Sequence, residues 1–216
     1  GGLPYPNALN PKNRKESPMN NPHPTSRAPK TLLAILGSPH KSGSTAAMLL
    51  CATSAAKRAG WQVQTINLYE KNIAFCRGCR GCIETGRCPH QDDSQEIAAL
   101  LKSCDAVVLA APAYWANVPA AVKNMFDRLL GTAMGEKSAR PQPRLSRSQR
   151  YLLLTACNTP APFSWLFGQS RGPLRAMDEF FHYAGMSRMG RVAFRGAAGK
   201  TTLPDRISRK IESYWK

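Results

Sequence analysis

"TLLAILGSPHKSGSTAAMLLCATSAAKRAG" (Thr31–Gly60) is the stretch on which the fold turns. Thr31–Leu36 is a short apolar run without alternation, the pattern of a strand buried on both faces in a parallel sheet. A turn rich in glycine and hydroxyl side chains follows, Gly37–Gly43. The small and apolar residues from Ser44 onward then read as a helix closed by Gly60. Downstream the alternation continues. "WQVQTINL" (61–68) is a second strand, and "DDSQEIAALLKSC" (92–104) a helix with an acidic start. "DAVVLAAPAYW" (105–115) is a third, buried strand, and "VPAAVKNMFDRLL" (118–130) an amphipathic helix. "RYLLLTAC" (150–157), "GPLRAMDEFFHYAG" (172–185), "MSRMGRVAFRG" (186–196) and "LPDRISRKIESYWK" (203–216) read as strand, helix, strand and helix. Five such alternations predict one doubly wound α/β domain with a parallel sheet over 31–216, not two domains. Residues 1–30 have no apolar period and are rich in Pro and Asn, so an arm or disordered leader is expected there.

A chain of 216 residues can bury a core without a metal or disulfide staple, so a metal would be there for chemistry. Seven cysteines, an odd number, with neither an apolar signal segment nor a membrane-length apolar run, predict a reducing, cytoplasmic setting with free or metal-bound thiols. The formal net charge of +17 would ordinarily suggest nucleic acid. Much of it, however, falls in two irregular-looking segments: the leader (Lys12, Arg14, Lys15, Arg27, Lys30) and a basic insert at 131–150 (Lys137, Arg140, Arg144, Arg147, Arg150). That distribution disfavours nucleic acid and suits an anionic cofactor or an acidic redox partner.

In a doubly wound sheet the ligand sits beyond the carboxyl ends of the strands, so the residues just past each strand carry the information. The first such loop, "GSPHKSGST" (37–45), offers the hydroxyls of Ser38, Ser42, Ser44 and Thr45 with His40 at the start of a helix, a setting for a phosphate. It fits neither GxxxxGK[ST] nor GxGxxG, and hydroxyl-rich donation suits the phosphate monoester of a mononucleotide such as FMN. The second, "PAYWANVP" (112–119), sets Tyr114 and Trp115 beside Ala116 and Asn117, aromatic walls and backbone amides for a planar ring, with Pro112 and Ala113 leading in. The third, "TACN" (Thr155, Ala156, Cys157, Asn158), follows the fourth strand and closes the slot from the other side. No side chain stands out as an acid or base catalyst; the chemistry is expected on the flavin.

"CRGCRGCIETGRCPHQDD" (76–93) spaces Cys76, Cys79, Cys82 and Cys88 as CxxCxxCxxxxxC. Compact spacing favours a four-iron cluster, because four thiolates must reach four irons from one loop. Zinc fits less well, since structural zinc sites usually come as separated knuckles, and free thiols stay open as a third reading. Arg77, Arg80 and Arg87 would partly offset thiolate charge.

With these motifs the chain resembles the flavodoxin-like NAD(P)H-dependent FMN reductases, in the branch that contains the iron–sulfur flavoproteins. The resemblance spans Thr31 to the last helix and rests on "LGSPHKSGST", the cysteine segment and "PAYWANVPAAVKNMFDRL". It implies a five-stranded sheet in the order 2-1-3-4-5, FMN held by the residues named above in the three loops, and a homodimer or homotetramer. It also implies a segment like 76–88 holding a [4Fe-4S] cluster that passes electrons to FMN, from a ferredoxin-like donor to a quinone or similar small-molecule acceptor. Without the cluster, NAD(P)H would reduce FMN directly. Two other readings are an electron carrier and a zinc-containing nucleic-acid module. His40 stands where the family usually has Arg, exchanging a permanent forked donor for an imidazole whose charge depends on pH, so weaker or pH-dependent phosphate binding is expected. Cys157 departs from the Gly-rich third loop of many relatives and would either bring a thiol near the flavin or simply pack.

Overall fold

In the computed structural model, which describes residues 28–137 and 140–216, Thr31–Leu36 is strand β1, buried at every position but the first. Helix α1 (Ser44–Arg58) follows, then β2 (Gln62–Asn67) and a 3-10 turn at Leu68–Glu70. The cysteine segment contains only one short helix, α2 (Gly81–Thr85), before α3 (Ser94–Ser103) and β3 (Ala106–Pro112). Helix α4 (Ala120–Arg128) and the short α5 (Leu130–Ala133) lead into a two-stranded ribbon, β4 (Met134–Lys137) and β5 (Arg140–Pro143). The chain then forms β6 (Arg150–Cys157), α6 (Phe163–Leu166), α7 (Arg171–Tyr183), β7 (Ser187–Arg195) and α8 (Asp205–Glu212). The leader expected at 1–30 lies, up to residue 27, outside the described residues.

The main sheet has five parallel strands in the order β2-β1-β3-β6-β7, the flavodoxin-like order expected once the ribbon strands are set aside. Order reverses between β1 and β3, which makes their carboxyl ends the switch point. Alternate residues of the three central strands feed opposite faces. Leu33, Ile35, Val107, Leu109, Tyr151 and Leu153 meet α3, α4 and α7, whereas Leu32, Ala34, Val108, Leu152 and Leu154 meet α1 and α8. Burial on both faces is why these strands read as continuous apolar runs. Truncating one fully buried residue such as Leu109 to Ala costs about 2–5 kcal/mol.

Within the basic insert, expected to be irregular, β4 and β5 pair antiparallel (Met134 with Pro143, Lys137 with Arg140). Pro141 and Pro143 are compatible with a strand because the ribbon has an open edge where their missing N–H groups are not needed. Contacts outside the ribbon fix it: Arg144 N–H donates to Ala133 O at 3.0 Å and Leu145 N–H to Ala184 O at 2.9 Å.

Candidate functional site

The loop after β1 is shaped by close packing. A Cβ on Gly37 would sit 2.4 Å from Val122 Cγ2 of α4, so only glycine lets that helix approach, and Gly37 N–H donates to Ala110 O of β3 at 2.7 Å. Ser38 is buried and its hydroxyl accepts from His40 N–H at 3.2 Å, tightening the turn. His40 and Ser42 are exposed, Thr45 is buried, and Ser44 donates to Ala197 O at 3.3 Å, tying the loop to the segment after β7. The N-cap of α1 is Gly43, which has no capping side chain, and the first turn holds no acidic residue. The helix start therefore offers backbone donors without a built-in acceptor, which favours an anion.

The loop after β3 forms a tight turn, with Tyr114 and Asn117 exchanging both backbone hydrogen bonds at 2.9 Å. Its two central residues, Trp115 (φ 51) and Ala116 (φ 56), are both in the left-handed region, a costly arrangement for non-glycine residues. Packing from α7 enforces it: a Cβ on Gly172 would fall 1.7 Å from Ala116 O. Trp115 is 98% exposed and Tyr114 is 41% exposed, so neither ring is core. Strain held at an exposed aromatic turn is the mark of a binding edge rather than of folding.

The ends of β3 and β6 are joined by Ala113 N–H donating to Ala156 O at 2.9 Å, and the end of β6 meets the segment after β7 through Ala197 N–H donating to Cys157 O at 3.0 Å. Thr155 is fully buried and its Oγ1 has no hydrogen-bond partner among the described residues. Ala156 and Cys157 are also buried, and Asn158 is exposed. Burial pushes the Cys157 thiol up, and its sulfur donates to Thr159 O at 3.6 Å, so this cysteine packs as a small apolar group. Tyr69, on the turn after β2, also reaches this end of the sheet: its phenol is raised by burial and by the nearby Tyr114. Nothing in the sequence marked it, because the turn after β2 carries no motif. The uncapped helix start, the orphaned Thr155 hydroxyl and the strained aromatic turn fit a phosphate monoester carrying a planar ring, the chemical form of FMN.

The cysteine segment is clamped at both ends by α4. Arg128, whose side chain is 1% exposed, pairs with Asp92 (11% exposed) and donates to Ala74 O at 2.6 Å and His90 O at 2.8 Å. Asn124 donates to Ile73 O at 2.9 Å. Asp92 in turn accepts from Ala74 N–H at 3.1 Å and Ser94 N–H at 2.9 Å. Despite the opposing effect of burial, hydrogen bonds from Ser94, Arg128 and Ala74 hold the carboxyl down at about 2. These bonds are what make the buried Asp92 charge tolerable, although Arg128 Nε is buried with no hydrogen-bond partner among the described residues.

Inside the clamp, Arg80 has a left-handed φ of 58 ahead of α2, with Gly78 at 67 and Gly86 at 71 on either side. Arg144, from the end of the hairpin, donates to Gly131 O at 2.7 Å, Cys82 O at 3.3 Å and Glu84 O at 3.2 Å, and Arg80 pairs with Glu136. The insert is thus the cover of the cysteine helix. Cys76 and Cys79 are exposed, Cys88 is half-buried and Cys82 is buried. Burial, and then the proximity of Cys88 and Cys76, push the Cys82 thiol up. Among the described residues no three Cys, His, Asp or Glu side chains are gathered as a metal site.

No helix among the described residues is long and apolar enough to cross a membrane. Several known proteins share this architecture. An FMN-dependent NADH-azoreductase of Bacillus anthracis, solved with FMN, superposes with a TM-score of 0.67 at 15% identity, covering 87% of this chain and 97% of that one. An NAD(P)H:quinone oxidoreductase of Methanothermobacter marburgensis gives 0.64 at 15% identity over 87% and 94%. At that identity the likeness is one of fold. In sequence, an iron–sulfur flavoprotein of Archaeoglobus fulgidus is 39% identical over 98 residues, 45% of this chain and 44% of its own. One of Methanosarcina thermophila is 32% identical over 97 residues, 45% and 51%. The chain spans about half the length of the curated relatives it matches. The pattern of the family described as NADPH-dependent FMN reductase matches residues 31–145, a stretch that contains the phosphate-type loop, the cysteine segment and the aromatic turn. With more than half of its length inside that match and the matching sheet order around it, the chain belongs to the NADPH-dependent FMN reductase family.

Proposed function

We propose that the protein is an FMN-dependent oxidoreductase, reduced by NAD(P)H or by a ferredoxin-like protein and reoxidised by a quinone or another small acceptor. The observation that carries this reading is the coincidence, at the β1/β3 switch point, of an uncapped helix start and a strained, exposed aromatic turn. Bound FMN would supply the redox chemistry. The protein's part is binding and orientation. Ser42, Ser44 and the first-turn amides of α1 hold the phosphate, with His40 beside it. Backbone groups at Trp115 and Ala116 meet the polar edge of the ring, and Tyr114 and Trp115 exclude water from its face. No side chain is assigned a proton transfer.

The finer reading is that Cys76, Cys79, Cys82 and Cys88 take up an iron–sulfur cluster. It is supported by their spacing and by relatives named iron–sulfur flavoproteins, and it requires the exposed thiols to turn toward Cys82 and Cys88. No electron step is assigned through it. Assembly as a homo-oligomer belongs to the same proposal. The test is anaerobic purification followed by analysis of flavin, iron and acid-labile sulfide, and then by NADPH-dependent reduction of a soluble quinone. Flavin with quinone turnover supports the reading, and iron with sulfide supports the cluster. A chain that takes up no FMN on reconstitution overturns the flavin reading, and one with neither iron nor sulfide overturns the cluster.

A further inference from the structure

Beside the aromatic turn is a cavity of about 540 Å3 between the first turns of α7 and the end of edge strand β7. Arg171 and Arg175 enter it from the helix and Arg191 and Arg195 from the strand, with Trp165 at its margin. The wall nearest the aromatic turn consists of Gly168 and Gly172, where an added Cβ would lie 3.7 Å from Ala116 Cβ and 1.7 Å from Ala116 O respectively. Among the described residues no carboxylate lines it. Among the described residues the acid paired with one of the four arginines is Asp178, 3.7 Å from Arg191 and already engaged by Arg188 at 2.9 Å and by the Tyr151 hydroxyl at 2.9 Å.

Two of the four guanidinium groups are held by other side chains. Arg171 stacks over the Trp165 ring at 4.7 Å, and Arg195 Nε donates to Ser170 Oγ at 3.1 Å, Ser170 being 1% exposed. These contacts hold the arginines near one another without neutralising them. A second cavity of about 550 Å3 shares Arg191 and Arg195 and adds Lys200, Arg206 and Lys210, so the positive surface continues around the β7 edge. All four arginines are exposed, so water screens their mutual repulsion, but four like charges about one hollow still make a positive potential that attracts an anion. Planar, forked donors from two elements suit the oxygens of phosphate groups, which accept in pairs.

We propose that this cavity binds a small molecule carrying two or more phosphate charges, next to the candidate flavin site and separate from the loop after β1. Two sources share that chemistry: the phosphates of a pyridine dinucleotide whose reactive end reaches the aromatic turn, and a separate phosphorylated ligand.

The probe is inorganic pyrophosphate, titrated calorimetrically into the protein as purified and saturated with FMN. Wild type is expected to bind it, with affinity falling as salt is raised. Arg175→Glu is expected to bind at least about tenfold more weakly, since one charge-assisted hydrogen bond is lost and one repulsion added. Arg195→Gln is expected to weaken binding in the same direction. Lys57→Glu, the same charge reversal on α1 across the sheet, is expected to leave it unchanged. No measurable binding, an unaffected Arg175→Glu protein, or an equal loss in Lys57→Glu would each overturn the proposal. FMN content and far-ultraviolet dichroism equal to wild type establish that the variants are folded. The source follows from kinetics, the only arm that rests on the reductase reading. Competition with NADPH, together with a raised KM and unchanged kcat in Arg175→Glu, assigns the dinucleotide; indifference to NADPH assigns a separate ligand. Pyrophosphate binding in a protein that does not oxidise NADPH would sustain the cavity and refute only the reductase reading.

Discussion

Replacing Asp92 by Asn probes the clamp that holds the cysteine segment. The side chain keeps its shape and its place beside Arg128, but the charge goes. Asn mimics the protonated acid, so the loss can be taken from proton linkage. The carboxyl is held at about 2 against an ordinary 3.8, a gap worth roughly 2–2.5 kcal/mol. Breaking a buried pair outright costs about 3–5 kcal/mol, which sets the upper bound for a guanidinium left without its partner. The sign fixes the pH window. A depressed carboxylate stabilises fully above its unfolded value, and the benefit is lost as pH falls through the folded value. Wild type should therefore shed about 2 kcal/mol between about pH 4 and pH 2, an acid limb that Asp92→Asn should lack. Urea unfolding at neutral pH should show the variant about 2 kcal/mol less stable, or about 4–8 °C lower in Tm for a domain of this size. Alkylation of Cys82, buried inside the clamped segment, should be faster in the variant. Stability within about 0.5 kcal/mol of wild type, the ordinary range of surface substitutions, together with an unchanged acid limb, would refute the clamp.

Three further outcomes are expected. Gly172→Ala would drive a Cβ into Ala116 O and displace the aromatic turn, so FMN affinity measured by fluorescence quenching should fall by about tenfold or more while the fold persists. Arg144→Met removes the donor to Gly131, Cys82 and Glu84 carbonyls and should loosen the hairpin, raising the proteolysis rate within 134–143 and the alkylation rate of Cys82. Ser42→Glu with Ser44→Glu puts two carboxylates where the phosphate would sit and should abolish both FMN binding and turnover. Turnover surviving in that protein would remove the loop after β1 from the flavin site.

The sheet was readable because its three central strands are buried on both faces and appear as uninterrupted apolar runs, the first followed by a glycine-containing turn at 37–43. The loops after β1 and β3 were readable because they lie just beyond strands that announce themselves, whereas Thr155, Ala156 and Cys157, read as a loop, form the buried end of β6 because that strand runs on to Cys157. What escaped depends on contacts between distant segments. Nothing in "FDRLL" separates Arg128 from an ordinary solvent-facing last-turn arginine, because its partners at Ala74, His90 and Asp92 arrive from another loop. The hairpin escaped because a basic, Pro-rich stretch lacks strand alternation, and its shape comes from Arg144 and Glu136 reaching the cysteine segment. Four arginines spread over residues 171 to 195 meet only once α7 lies against β7. The cysteines mark a different case: their spacing is the plainest motif in the chain, but burial separates them, with Cys76 and Cys79 exposed, Cys88 half-buried and Cys82 buried, and no spacing rule foretells that.

The central claim is that the switch-point loops form a flavin site, and equilibrium titration of FMN against wild type and the Ser42→Glu, Ser44→Glu protein tests it most directly. Saturable binding of about one FMN per chain, lost in the double variant while its fold is retained, is the predicted result. No saturable binding by wild type, or binding indifferent to the two substitutions, would contradict it.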